Sequence, residues 1–362
     1  MKKIDRRSFL KVTALSAAAL GLAACGASSS SSAPASPASA ADPAAGSGTA
    51  AGKEFKVGIV NYVDDASLNQ IVQSVESELD ALGGQYGCTF NYADYYDNAQ
   101  ADSTVMNQIA ANLVADGVDI IVAVATPTAM VMQSYIADQG LDTPIVYSAV
   151  SDPEGAGLVS IDNVTGTSDA LNTDAIMQLI LAANPDAKKI GLLYDLGQDS
   201  SKAAIAGAKA FCDANGLSYV EGNGTTTSEI QLAAESLVAD GVDAVFTPTD
   251  NTIMTAELAI YETFADAGIP HYAGADSFAL NGAFCGFGVD YVQLGVATAD
   301  IVGRILAEGV SPADIPFETF DNGIATVNTE TCAAIGYDLA AIKEAFAPYC
   351  TSVEEIVTAE EF

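Results

Sequence analysis

From residue 55 onward two kinds of hydrophobic pattern alternate along this chain. Phe55 to Tyr62 is a β-branched run, fit for a parallel strand buried on both faces. Leu68, Ile71, Val72, Val75, Leu79 and Leu82 then keep helical spacing, and Gly83-Gly84 predicts where that helix stops. Thr89 to Tyr95 predicts a second strand. Asp102 or Ser103 caps a helix that turns Met106, Ile109, Leu113 and Val114 inward. Ile120 to Ala125 is a third strand, and Thr126-Pro127-Thr128 opens the next helix with Pro127 in its first turn. Ile145 to Ala149 is a fourth strand. Strict alternation of strand and helix implies right-handed crossovers and a parallel sheet.

The same order then recurs. Leu113 to Asp119 reads LVADGVD, and so does Leu237 to Asp243; each copy ends a helical pattern and runs into a strand pattern. Upstream of them KVGIVNY at Lys56 matches KIGLLYD at Lys189, and downstream PIVYSAV at Pro144 matches PHYAGAD at Pro270. Two copies of one βαβ lobe account for these pairs. The second lobe begins with a helix from Thr173 to Asn184, and its alternation runs from Ile190 to about Ala275. Asn163 to Ser168 is expected to cross between lobes and Phe284 to Tyr291 to return. Leu294 to Glu308 is an amphipathic helix, Phe317 to Asn328 reads as paired short strands, and Tyr337 to Phe346 is the last helix. The expected fold class is α/β, with two Rossmann-like parallel-sheet lobes joined by a multi-strand hinge. The expected lobes are residues 54–165 with 287–315, and residues 166–286 with 316–350. Residues 351–362, with Glu354, Glu355, Glu360 and Glu361, are expected to form a solvated acidic tail.

Composition narrows the partners. A chain of 362 residues is comfortable for two domains, and its formal net charge is −34. Such a polyanion cannot neutralise phosphates and is repelled by an anionic membrane surface, so nucleic acid is excluded as a partner. The N-terminus reads as an address. Arg6-Arg7-Ser8-Phe9-Leu10-Lys11 has the form of a twin-arginine export signal, and the apolar run from Val12 to Ala24 is too short to cross a bilayer. Leu22-Ala23-Ala24-Cys25 has the form of a lipoprotein box. Residues 1–24 are therefore expected to be a signal peptide, with cleavage freeing Cys25 for a lipid. Residues 25–53 follow as a flexible linker of Ser, Ala, Pro and Gly that cannot bury enough surface to fold. The folded body is expected outside the cytoplasm, held at the cell membrane through the lipid alone.

Candidate chemistry follows from topology. Parallel sheets bind ligands beyond the carboxyl ends of their strands. The loops there are Tyr62–Ser67, Thr126–Thr128, Ser148–Asp152, Tyr194–Ser200, Thr247–Asn251 and Asp276–Ser277. They hold hydroxyls, carboxylates and tyrosines, and no Arg or Lys before Lys202. A multiply charged anion would need those cations. A single carboxylate can be held by the N–H groups and hydroxyls that open the helix at Thr126 and Thr128. Asp250, Asp276 and Asp290 are candidates for holding an ammonium, each with a second reading as a helix cap. Tyr62 and Tyr194 are candidates for flanking an apolar side chain, each with a second reading as core. The set describes a zwitterion, most simply an amino acid. After Cys25 the cysteines are Cys88, Cys212, Cys285, Cys332 and Cys350, with no C-x-x-C and one histidine, His271, set in a strand pattern. No metal site or cofactor is expected. Cys332 and Cys350 flank the last helix, where a disulfide and free thiols are both open. No nucleophile elbow or phosphate loop is present, so no enzymatic activity is expected.

From about Phe55 to Phe346 the chain resembles the substrate-binding lipoproteins of ABC importers of the tryptophan/tyrosine-binding type, which have a type I periplasmic-binding fold. The motifs are LVADGVDIIVAVATPTA at Leu113, PIVYSAVSDPEGAGLV at Pro144, NVTGTSD at Asn163, FTPTDNTI at Phe246 and GADSFALNGAFCGFGVDYVQLG at Gly274. The resemblance implies a monomer that captures an amino acid, often aromatic, and hands it to permease and ATPase subunits. It implies that Thr126 and Thr128 lie in the carboxylate loop, that Ser148 helps hold the ammonium with Asp276 as its acidic partner, and that Tyr62 and Tyr194 wall the side chain. Thr247, Asp250, Asn251, Ser277 and Asp290 complete the expected ligand-binding set. A sugar or nucleoside bound in the same fold, or a lipoprotein that senses its ligand, are the alternatives. Trp, the residue that sugar sites favour for stacking, is absent from the chain.

Overall fold

The computed structural model describes residues 50–320 and 323–359. The signal peptide, Cys25, nearly all of the linker, and Glu360 and Glu361 lie outside the described residues. In chain order the first lobe runs β1 (Glu54–Asn61), α1 (Ala66–Tyr86), β2 (Thr89–Asn91), β3 (Tyr96–Asn98), α2 (Ser103–Asp116), β4 (Ile120–Val124), α3 (Thr126–Asp138), β5 (Ile145–Ser148) and β6 (Val164–Ser168). The second runs α4 (Thr173–Ala183), β7 (Lys189–Tyr194), α5 (Asp199–Asn215), β8 (Ser218–Asn223), α6 (Thr227–Ala239), β9 (Ala244–Thr247) and α7 (Asn251–Ala256). It continues with α8 (Tyr261–Asp266), β10 (His271–Ala273), α9 (Asp276–Leu280) and β11 (Cys285–Gly288). The remainder comprises α10 (Tyr291–Leu306), β12 (Glu318–Thr319), β13 (Ile324–Asn328), α11 (Thr329–Ala334), α12 (Leu339–Phe346) and β14 (Ser352–Ile356).

The strands form two sheets. One has the order β12-β6-β5-β4-β1-β2, with β3 also paired to β1; the other has the order β14-β13-β11-β10-β9-β7-β8. Every pairing is parallel except β11 with β13. The chain passes between the sheets after β6, after β11 and between β12 and β13, and these passages form the hinge. On its return α10 lies along α1, with Gly303 set close to Leu82.

The repeated heptapeptide does the same physical work in both lobes. Its glycine ends the helix in the left-handed region, at φ 65° for Gly117 and 66° for Gly241, where a Cβ would be strained. Its last aspartate accepts from the start of the neighbouring strand: Asp119 from Lys56 N at 2.8 Å, and Asp243 from Lys189 N at 2.9 Å. The lysines in turn donate through Nζ to Asp116 O and Asp240 O, each at 2.7 Å. Its leucine packs down on a strand glycine. A Cβ on Gly58 would lie 3.0 Å from Leu113 Cδ1, and one on Gly191 would lie 3.3 Å from Leu237 Cδ1.

Four expectations change. Thr89 to Tyr95 is not one strand: a turn with Tyr95 N donating to Tyr92 O at 2.9 Å separates β2 from β3, and both pair with β1. The strands within Phe317–Asn328 do not pair with each other; β12 joins β6 in the first sheet and β13 joins β11 in the second. The first sheet thus runs on to Ser168 and takes in Glu318–Thr319, beyond the expected boundaries. Residues 352–356 are no solvated tail but a strand parallel to β13, made by backbone pairing that tolerates the exposed Glu354 and Glu355 on an edge.

Candidate functional site

The carboxyl ends of both sheets meet at a small chamber of about 20 Å³, room for about one water molecule. From the first lobe come the start of α1 (Ser67, Leu68), the turn between β4 and α3 (Ala125, Thr126), the loop after β5 (Ala149, Ser151) and Asp169 after β6. Facing them are Ser200 on α5, Thr249, Asn251 and Met254 around the start of α7, Ala275 before α9, and Tyr291 at the start of α10. The lobes are closed and bonded to each other. Ser67 Oγ donates to Asp276 Oδ1 at 2.6 Å and accepts from Ser277 N at 3.2 Å, and the hydroxyls of Ser151 and Thr249 meet at 3.3 Å.

One wall is built for an anion. Ala125, which precedes α3, is held at φ 75° and gives the helix no side-chain cap, so the first N–H groups of α3 have no side-chain acceptor from it. Strain of this kind costs about 1–3 kcal/mol and recurs at binding sites. The hydroxyls of Thr126 and Thr128, one turn of the same helix, are buried with no hydrogen-bond partner, as is that of Ser200 across the cleft. Leaving a buried donor unsatisfied costs about 1–3 kcal/mol, so this end of the chamber is poised to donate.

Carboxylates stand at and near the chamber: Asp169 lines it on the same lobe as Thr126, Asp65 caps α1 and Asp276 opens α9. Burial pushes Asp65 up to about 6, opposed by its bonds to Leu68 N and Ser67 N and reinforced by the charge of Asp276. Burial likewise pushes Asp169 up to about 6 against the bond from Ser151 Oγ, which is 3.0 Å long. Asp276 keeps part of its surface open yet is surrounded by protein, and desolvation raises it too, against its bonds from Ser67 and Gln70. The Tyr291 phenol lies among these three; burial, then Asp169, Asp276 and Asp65, drive it well above its ordinary value. Among the described residues no Lys, Arg or His lines the chamber. Of the three only Asp169 lines the chamber itself, and a shielded carboxylate with no cation in that lining can receive a positive group.

Beside Thr126 opens a second cavity of about 320 Å³, walled by Tyr62, Met106, Pro127, Met130 and Val131, with Gln198 on the far side. Gln198 hydrogen-bonds the Tyr62 phenol, which burial raises above its usual range. The cavity is largely apolar and large enough for an aromatic ring.

Of the residues expected from sequence, Thr126 and Asn251 line the chamber, Thr128 lies one residue beyond Pro127, Asp276 and Ser277 meet Ser67, and Tyr62 walls the second cavity. The others are elsewhere. Ser148 is turned into the first lobe, where its hydroxyl meets Thr298 Oγ1 at 2.8 Å and Thr167 Oγ1 at 3.4 Å. Tyr194 bonds Glu221 and stacks under Lys209 Nζ, 6.0 Å from its ring centre. Thr247 meets His271 Nε2 at 2.8 Å. Asp250 caps α7, accepting from Thr252 N and Ile253 N, and also from Asp195 N and Ser201 Oγ. Asp290 caps α10 from an exposed position, accepting from Gln293 N at 3.0 Å. For both aspartates the cap reading is the one the geometry gives. Cys332 and Cys350 are separate thiols. Asp65, Ser67, Ser151, Asp169, Ser200, Thr249 and Tyr291 were not singled out by sequence. Asp169 has one usable signal, a polar residue immediately beyond a buried strand.

The chain is similar in sequence and fold to known proteins. The family described as ABC transporter substrate binding protein matches residues 56–343. A tyrosine-binding protein of Clostridioides difficile (strain R20291) is 32% identical over 292 residues, covering 79% of this chain and 82% of that protein. Among solved structures, an ABC domain from Streptococcus pneumonia in complex with L-Trp superposes with a TM-score of 0.74 at 28% identity, covering 83% of this chain and 99% of that one. The ligand-free, open structure of a substrate-binding protein with adhesive properties from Clostridium difficile gives 0.63 at 29% identity, over 84% and 100% of the two chains. Both the length of these matches and the two-lobed frame behind them carry the same conclusion: the chain belongs to the ABC transporter substrate-binding protein family.

Proposed function

We propose that this protein captures one aromatic amino acid, as a zwitterion, between its lobes and delivers it to the permease of an importer. The observation that carries the reading is the lining of the chamber: the unpartnered hydroxyls of Thr126 and Ser200 and an uncapped helix start, together with the buried carboxylate of Asp169. The α-carboxylate is assigned to Thr126, Thr128 and the start of α3, and the ammonium to Asp169 and Asp276 beside Tyr291. Opening of the lobes gives the side chain access to the apolar wall of Tyr62, Met106, Met130 and Val131. The relatives named for tyrosine and crystallised with L-Trp support an aromatic ligand. The better superposition on the L-Trp complex than on the open structure supports a closed arrangement here. Closure on a ligand that bridges both lobes shifts an open–closed equilibrium, and a micromolar ligand supplies about 8 kcal/mol at standard state for it. The proposed role is capture and delivery, with no chemical step on the ligand. Export through the twin-arginine signal and a lipid on Cys25 complete the proposal, placing the monomer outside the membrane where a permease and its ATPase can receive the cargo.

Calorimetric titration with tryptophan, tyrosine, phenylalanine, tryptamine and indole-3-propionate tests it. At least one aromatic amino acid is expected to bind, and removing either its carboxylate or its ammonium is expected to weaken binding at least tenfold. A sugar or nucleoside that binds where no amino acid does would overturn the reading.

A further inference from the structure

The one histidine of the chain is the centre of a buried polar chain outside the chamber. His271, on β10, is 2% exposed and lies against the rings of Phe264, at 5.2 Å, and Phe278, at 6.3 Å and edge-on. Its Nε2 is 2.8 Å from Thr247 Oγ1 and its Nδ1 is 3.0 Å from Glu257 Oε1. Glu257 has no exposed surface, and its Oε2 has no hydrogen-bond partner. With Glu257 as a carboxylate, Nδ1 carries the proton it donates, and Nε2 takes its hydrogen bond with Thr247. A fully buried carboxylate with one oxygen unsatisfied is a poor way to stabilise a core; apolar side chains of the same size would do so at lower cost. What the chain of bonds does supply is a fixed spacing.

Each end of that chain continues into the cleft wall. Thr247 closes β9, two residues before Thr249. Glu257 directly follows α7, whose Asn251 and Met254 line the chamber. His271 opens β10, which leads to Ala275 and Asp276, and Phe278 belongs to α9, whose first turn bonds Ser67 of the first lobe. We propose that Thr247, His271 and Glu257 form a positioning unit that sets the spacing of the three second-lobe segments on which the ligand is closed. His271 and Glu257 are positioning residues; neither touches the ligand. The affinity arm of the test rests on the function proposed above, whereas the exchange arm does not.

The test uses Glu257→Gln and Thr247→Val, each close in shape to the native residue and each breaking one end of the chain. Hydrogen–deuterium exchange of the ligand-free protein is expected to quicken at residues 249–256 and 275–281 in both variants, with the first lobe, α4 and α5 unchanged. The imidazole signals of the single histidine are expected to move in both, and tryptophan affinity to fall at least tenfold at a temperature where the variants are fully folded. Exchange that is unchanged, or that rises evenly across the molecule, overturns the proposal, as does failure of both variants to fold, which would make the unit plain core. If the unaltered protein binds no aromatic amino acid, the functional reading fails by itself, and the exchange pattern still decides this one.

Discussion

Asp65 and Asp169 are folded into a site that disfavours their charge, and this sets a pH dependence. Each is raised from 3.8 to about 6, chiefly by burial. The native state therefore holds protons that the unfolded chain releases. The stabilising contribution is complete below about 3.8 and is lost as pH climbs through about 6. A shift of about two units is worth on the order of 3 kcal/mol per group. The ligand-free protein is thus expected to unfold at higher urea concentration at pH 5 than at pH 7. Asp65→Asn and Asp169→Asn should each flatten that slope, which separates it from relief of the general acidic charge. Thr126→Val should act with opposite signs on two readouts: it removes an unsatisfied buried hydroxyl, so stability stays level or rises by about 1 kcal/mol, while amino-acid affinity falls about tenfold or more. Sequence located Thr126 because a helix opens there with Pro127. It could not separate Asp276 from Asp250 and Asp290, because all three stand between a strand and a helix. Whether such a carboxylate turns back to cap or forward to the cleft depends on the direction of the helix start, which no local pattern encodes.

At the scale of elements the repeated heptapeptide carries most of what was legible. Helix stop, strand start and the lysine that ties them recur at matching positions, so local chemistry alone dictates the order of elements in both lobes. The packing of Leu113 on Gly58 and Leu237 on Gly191 extends that equivalence to the core. Gly191→Ala forces a Cβ to 3.2 Å from Val245 and 3.3 Å from Leu237, and Gly58→Ala to 3.0 Å from Leu113. Each is expected to cost about 1–3 kcal/mol by overpacking, read from denaturant midpoints, with the Gly58 variant the worse of the two. A pair of neutral results would contradict the account of the repeat. The illegible elements are the short and borrowed ones. β12 is two residues long, and its partner β6 is far away in sequence. β14 is an acidic segment whose strand character comes from pairing with β13 and not from its side chains. A strand made by a distant partner leaves little periodicity to read.

For the whole molecule, the two-lobed frame and its shared rim follow from alternation and repetition, whereas the closed state and the carboxylate that lines the chamber do not. They arise from contacts between residues hundreds of positions apart, such as Ser67 with Asp276. The central claim is that the rim grips a zwitterion with an aromatic side chain. Because the chain contains no Trp, tryptophan added to it is the only indole present. Its emission, excited where tyrosine absorbs little, should shift to shorter wavelength and saturate at one tryptophan per protein, and tyrosine should displace it. An emission spectrum that stays that of free tryptophan across the titration, with no displacement of any other bound amino acid by tyrosine, would contradict the account.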